Sequence, residues 1–150
     1  MRCAIPALLL CVVIRAPAVA AEPDARRSGL DVMSPATQAM QRDDSQNPAM
    51  LWVKDGEALW NQAPATGAKS CASCHGNAAT SMRGVAVTYP AFDATLKRPV
   101  NLGERINLCR QQRQQQPPFT AESSPLLALE AYVALQSRGL PIAPYRDARL

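Results

Sequence analysis

Two cysteines three residues apart, Cys71 and Cys74, followed at once by His75, constrain this chain more than any other stretch of it. Thiols at i and i+3 share one side of a single helical turn, and the next residue sets an imidazole beside them. This Cys-X-X-Cys-His spacing is the attachment signature of c-type haem. Two such thiols reach the two vinyl groups of one porphyrin, and the imidazole then lies beneath its iron. Cys71 and Cys74 are read as the thioether residues of one covalent haem c, and His75 as the proximal ligand of its iron. Two other readings compete. A zinc cage of Cys71, Cys74, His75 and Cys109 has a suitable donor inventory, but adjacent Cys74 and His75 reach one tetrahedral ion with difficulty. A thioredoxin-like dithiol expects strands alternating with helices around the motif, and the sequence carries almost no strand pattern.

Covalent haem attachment takes place outside the bacterial cytoplasm, so an export signal is expected. Arg2 precedes an apolar run from Ala4 to Ile14, and Ala18-Val19-Ala20 offers the small residues of a signal-peptidase site. The pattern predicts a signal peptide over residues 1–20, cleavage after Ala20 and a periplasmic mature protein. Arg15 interrupts the apolar run, which is shorter than the roughly 20 residues of a membrane-spanning helix. Leu8-Leu9-Leu10-Cys11 resembles a lipoprotein site, but bulky Leu10 stands where a small residue is wanted.

Of the 16 Lys and Arg side chains, Arg2 and Arg15 lie in this leader, so the mature chain sets 14 basic against 12 acidic groups. That balance carries no clustered basic face of the kind nucleic acid or an acidic membrane selects. Cys3 and Cys11 also leave with the leader, and haem attachment uses two of the three remaining thiols. Cys109 is then an odd thiol in an oxidising compartment.

The mature length suits one core. Residues 21–47 are polar without sustained apolar period and read as an extended amino-terminal arm; 48–140 read as the haem domain and 141–150 as a tail. Asn47-Pro48 is a helix start, and a helix is expected from Pro48 to about Gln62 with its buried stripe through Trp52, Val53, Gly56, Leu59 and Trp60. Gly56 on that stripe allows a close helix crossing. Ser124-Pro125 repeats the start signal, and Leu129, Tyr132, Val133 and Gln136 continue a face until Gly139 and Pro141 stop it. Asn101-Leu102-Gly103-Glu104 reads as a capping box opening a short helix, on which Leu102, Ile106 and Cys109 share one face. The Gln111–Gln116 tract reads as a frayed helix end, and Gly76–Val100 as loop. The expected fold is all-α, with terminal helices crossing around a haem in the manner of cytochrome c.

His75 is the only histidine, which excludes bis-histidine ligation within one chain. The second axial ligand is therefore methionine, cysteine or lysine. Cys109 is one candidate, with a buried inert thiol as its alternative. Met82, seven residues past His75, is another, and Met33, Met40 and Met50 precede the motif. Arg83, Lys97, Arg98, Arg105 and Arg110 are candidate partners for haem propionates.

The chain also resembles a known family. The resemblance runs through Met33-Ser34-Pro35, Gln38-Ala39-Met40-Gln41-Arg42-Asp43-Asp44, Leu51-Trp52-Val53, Asp55-Gly56-Glu57-Ala58-Leu59-Trp60 and Lys69-Ser70-Cys71-Ala72-Ser73-Cys74-His75-Gly76. It continues in Ser81-Met82, Gly84-Val85-Ala86, Tyr89-Pro90-Ala91, Arg105-Ile106-Asn107, Cys109-Arg110, Leu126-Leu127-Ala128-Leu129 and Ser137-Arg138-Gly139. In this order, over about residues 28–144, the chain is similar to SoxA, the haem-bearing subunit family of the SoxAX cytochrome complex of bacterial sulfur oxidation.

The resemblance implies a haem held by the histidine of its attachment motif and, opposite, by a cysteine sulfur; by position these are His75 and Cys109. It also implies a role as subunit of an L-cysteine S-thiosulfotransferase. There thiosulfate is oxidatively coupled to a cysteine of a SoxYZ-like carrier protein, with electrons leaving through a SoxX-like cytochrome partner. Members usually continue into a second cytochrome domain that holds the sulfur-accepting catalytic cysteine. The resemblance covers the first domain, so Cys109 corresponds to a haem ligand and the catalytic residue is not among those matched. The alternative function is a stand-alone monohaem electron carrier without a sulfur-transfer role.

Overall fold

The computed structural model describes residues 28–144. The expected signal peptide and the end of the tail lie outside the described residues. By their contacts residues 28–38 belong to one unit and 39–144 to another. In the first, a 3₁₀ turn spans Gly29–Val32, with Ser28 Oγ accepting from the Leu30 N–H at 3.2 Å. Helix α1 (Pro35–Arg42) starts there, with Ser34 Oγ accepting from Thr37 N–H at 3.2 Å. The arm is therefore not simply extended, as its composition had indicated. Ser34-Pro35 supplies a cap and a preset φ, the same start signal as Ser124-Pro125, without needing an apolar period.

In the second unit, α2 (Ala49–Asn61) begins after Pro48, and Asn47 Oδ1 accepts from Ala49 N–H at 3.0 Å. It buries Gly56 and Trp60 with Val53 and Leu59 half-buried, whereas Trp52 is 41% exposed. The buried strip is thus narrower than the apolar pattern, and Trp52 does not belong to it. Helix α6 (Ser124–Leu135) buries Leu126, Ala128, Leu129 and Val133. Ser123 occupies its cap position without a side-chain cap bond, and Pro125 stands in its first turn. The two helices meet at Gly56, where an added Cβ would stand 2.7 Å from the Ala128 carbonyl carbon and 2.7 Å from Tyr132 Cβ. Only glycine permits that approach.

Helix α5 (Leu102–Arg113) opens on the expected capping box: Asn101 Oδ1 accepts from Glu104 N–H at 2.7 Å, and Glu104 Oε2 from Asn101 N–H at 2.8 Å. A Cβ at Gly103 would meet the carboxylate end of the Glu130 side chain, which reaches over from α6. The stretch expected as loop carries short elements. Helices α3 (Cys71–His75) and α4 (Ala78–Ser81) are followed by a 3₁₀ turn, Ala86–Thr88. An antiparallel hairpin then pairs β1 (Ala91–Asp93) with β2 (Arg98–Val100), Ala91 opposite Val100. Elements of three or four residues are too short to display a period, so local caps specify them: Asn77 for α4, and Asp93 for the hairpin turn. The core gathers Trp60, Ala78, Leu129 and Val133, with Leu59, Met82, Leu102, Ile106, Phe119 and Tyr132 packed around it. No helix among the described residues is long and apolar enough to cross a membrane.

Candidate haem-attachment site

Helix α3 is the attachment motif itself, and two serines define where it starts. Ser70 Oγ accepts from Ser73 N–H at 3.0 Å while Ser73 Oγ accepts from Ser70 N–H at 3.2 Å, a reciprocal cap around a buried Ser70. The helix stops at Gly76, whose φ of 67° a residue with a Cβ adopts only under strain. Between these ends, Cys71 is half-buried while Cys74 and His75 are exposed.

Trp60 connects this turn to the core. Its indole Nε1–H donates to the Gly76 carbonyl at 3.1 Å, and its ring lies 5.7 Å from the His75 ring at 36° and 5.9 Å from the Tyr132 ring. The carbonyl that follows the proposed proximal imidazole is thus fixed by a core side chain. The apolar pattern placed Trp60 on a buried face but gave no sign of this bond.

Cys109 lies half-buried on α5, whose Leu102 and Ile106 pack on the core. Cys71, Cys74 and Cys109 are all free thiols. Burial pushes the Cys109 thiol up, as does the neighbouring Cys74, while Arg113 and Arg105 oppose the rise. Burial likewise raises Cys71, followed by the influence of Cys109, against a hydrogen bond from Gln114. Among the described residues no three His, Cys, Asp or Glu side chains gather as a metal-binding group.

The glutamine tract is not frayed where it matters. Gln114 Nε2 donates to the Lys69 carbonyl at 3.0 Å and toward Cys71 Sγ at 3.7 Å. Asn107 exchanges two bonds with the Phe119 backbone, accepting from its N–H at 2.8 Å and donating to its carbonyl at 3.0 Å. Arg110 lies 3.9 Å over the Phe119 ring and donates to the Pro117 carbonyl at 2.7 Å. Beside Cys71 is a cleft of about 240 Å³ walled by Leu59, Arg110, Gln114, Phe119 and Leu129 among others. A polar residue every three or four positions along α5 was visible in the sequence, but not its partners.

Several candidates of the sequence are already engaged. Arg105 pairs with buried Asp93 at 2.8 Å and Arg98 with Glu104 at 2.7 Å, whereas Arg83 and Lys97 are exposed. Met82 packs on the core, and Met50 Sδ faces Arg138 at 3.7 Å. Met33 is exposed and Met40 lies half-buried on α1.

Known proteins give this geometry its context. The SoxA subunit of L-cysteine S-thiosulfotransferase from Pseudaminobacter salicylatoxidans is 38% identical over 132 residues, covering 87% of this chain and 46% of the relative. The same subunit from Rhodovulum sulfidophilum is 32% identical over 135 residues, covering 88% and 47%. Among solved structures, SoxXA from P. pantotrophus superposes with a TM-score of 0.73 at 30% identity, over 80% of this chain and 45% of that one. The chain thus spans about half the length of the curated relatives it matches. Residues 55–142 match the model of the SoxA/TsdA, cytochrome c domain family. The fold is accordingly all-α and cytochrome c-like, a domain type that carries haem c. The chain belongs to the SoxA/TsdA cytochrome c domain family.

Proposed function

We propose that this chain is the first cytochrome domain of a periplasmic SoxA-type subunit, serving electron transfer while thiosulfate is oxidatively coupled to a carrier-protein cysteine. Its signal peptide is residues 1–20, its arm 21–47, its haem domain 48–140 and its tail 141–150. In this reading Cys71 and Cys74 would hold one haem c through thioethers, and His75 and Cys109 would bind its iron. The donor set fits the group: two thiols one turn apart, an exposed imidazole beside them, and a third thiol on the helix whose C-cap Gln114 donates toward Cys71 Sγ. Bound haem supplies reversible one-electron exchange, and a thiolate ligand favours its oxidised state and a low potential.

The chain's own residues do the rest. Trp60 holds the turn behind His75, and Leu59, Leu129 and Phe119 give the cleft beside Cys71 an apolar wall. The single observation that carries the reading is the serine-capped Cys71–His75 turn packed against Trp60 within a matching cytochrome c domain. A SoxX-like cytochrome and a SoxYZ-like carrier are the corresponding partners, because the relatives bear the SoxA name and the solved neighbour is a SoxXA complex.

Electron paramagnetic resonance of the oxidised, exported protein tests it. The expected result is a low-spin histidine/thiolate signal that disappears in Cys109→Ala. An unchanged spectrum in that variant makes Cys109 a packing residue and turns attention to Met82. Absence of haem overturns the reading. Purification with a SoxX-like partner separates the subunit from a stand-alone electron carrier, which forms no such complex.

A further inference from the structure

We propose that Gln114 is a positioning residue that sets the separation between the helix bearing Cys109 and the turn bearing Cys71, Cys74 and His75; this rests on the haem ligation proposed above. Gln114 is the C-cap of α5, one residue past Arg113, where the chain leaves the helix. The helix ends at Gln115, which takes a φ of 54° despite its Cβ, and the Gln116 N–H donates to the Arg110 carbonyl at 3.2 Å. A left-handed residue without glycine's freedom persists where the surroundings determine it, and the Gln114 amide just before it bonds the attachment turn. Both hydrogens of that amide have an acceptor. One is the carbonyl of Lys69, which enters the α3 cap; the other is the sulfur of Cys71.

Among the described residues, no other side-chain hydrogen bond joins α5 to residues 69–76. The remaining polar bonds of α5 run elsewhere: Arg105 to the hairpin, Asn107 and Arg110 to the segment around Phe119. Cys71 and Ala72 of the attachment turn and Leu102 and Ile106 of α5 pack on the same core, and the polar tie that adds direction to this packing is the one amide of Gln114. A ligand held by two elements feels any loosening between them, since a small displacement of the donor weakens its bond to the iron.

The test uses the haem-loaded full chain. Gln114→Met keeps length and volume but removes the donor, and Gln111→Met alters an exposed position of the same helix. In Gln114→Met the g-values of the ferric signal shift, and exogenous imidazole displaces the ligand opposite His75 about fivefold faster, the effect of one lost hydrogen bond. Gln111→Met matches the wild type in both. Should Gln114→Met yield no holoprotein, Gln114→Asn retains the amide but falls short by one methylene, and a smaller shift in the same direction is expected. Wild-type g-values and displacement rate in a haem-loaded Gln114 variant overturn the inference while leaving the ligation intact. A wild-type spectrum without a histidine/thiolate signal overturns the ligation itself, and this inference with it.

Discussion

Where α2 crosses α6, Gly56 lets backbone meet backbone, and the side chains around it are Trp60, Ala128, Leu129, Tyr132 and Val133. Along α5 only Gly103 is buried, and the helix is fastened by Asn107 on Phe119, Arg110 on Pro117, Arg105 on Asp93 and Gln114 on Lys69. The two arrangements differ in what they can specify. Apolar burial is roughly proportional to area and has no direction, so it holds helices together while tolerating small rotations. Hydrogen bonds weaken steeply with angle and distance, so several along one helix fix its rotation and its height. Stability resides mainly in the first region and placement in the second, which is the division expected if α5 presents a side chain to a ligand.

Substitutions in the apolar region should weigh most. Trp60→Ala removes the largest core side chain and its bond to Gly76, and should cost about 3–5 kcal/mol in denaturant unfolding. A loss under about 1 kcal/mol would mean that the crossing does not carry the fold. Gly56→Ala comes next, at about 1–3 kcal/mol, because the new methyl must push α6 away. Full stability there would contradict the close approach to Ala128. On the polar side, Asn107→Ala leaves the Phe119 N–H and carbonyl unpaired and should cost about 1–2 kcal/mol. Its distinguishing mark is faster hydrogen exchange at the Phe119 amide with the α2 amides unaffected; exchange rising everywhere would erase the contrast between the regions.

The smallest effect is read as a slope against pH. The Leu96 N–H, then the Thr95 N–H and Arg105, hold the Asp93 carboxyl below the ordinary carboxylate range despite the opposing influence of burial. A lowered folded-state pKa means that its contribution is present above the unfolded value and is lost as pH falls through the folded one. Below about pH 4 the stability of Asp93→Asn should therefore fall less steeply than that of the wild type. Parallel curves would show that Asp93 does not couple the hairpin to α5 through its charge.

What the sequence disclosed follows the same division. The long helices were legible because each carries an apolar stripe or a strong start signal, and Gly56 on such a stripe announced the crossing. The box at Asn101–Glu104 was legible because both partners lie three residues apart. Trp52 was misjudged, since apolar spacing says which side of a helix can be buried but not how wide the contact will be. The hairpin at Ala91–Val100 and helices α1 and α4 escaped because short elements depend on single caps. Cys71, Cys74 and His75 are proposed from spacing alone, whereas Gln114 bonds across 43 residues of chain, and no local pattern encodes a partner that distant.

The brevity of α3 has a consequence for how this domain opens. Five residues are far below the length at which a helix persists unaided, so the Cys71–His75 turn takes its order from Trp60 on one side and Gln114 on the other. It has no independent melting. The hydrogen-bonded amides of the turn should therefore lose protection whenever Trp60 leaves the core, although three of its five residues, Ser73, Cys74 and His75, are turned to solvent.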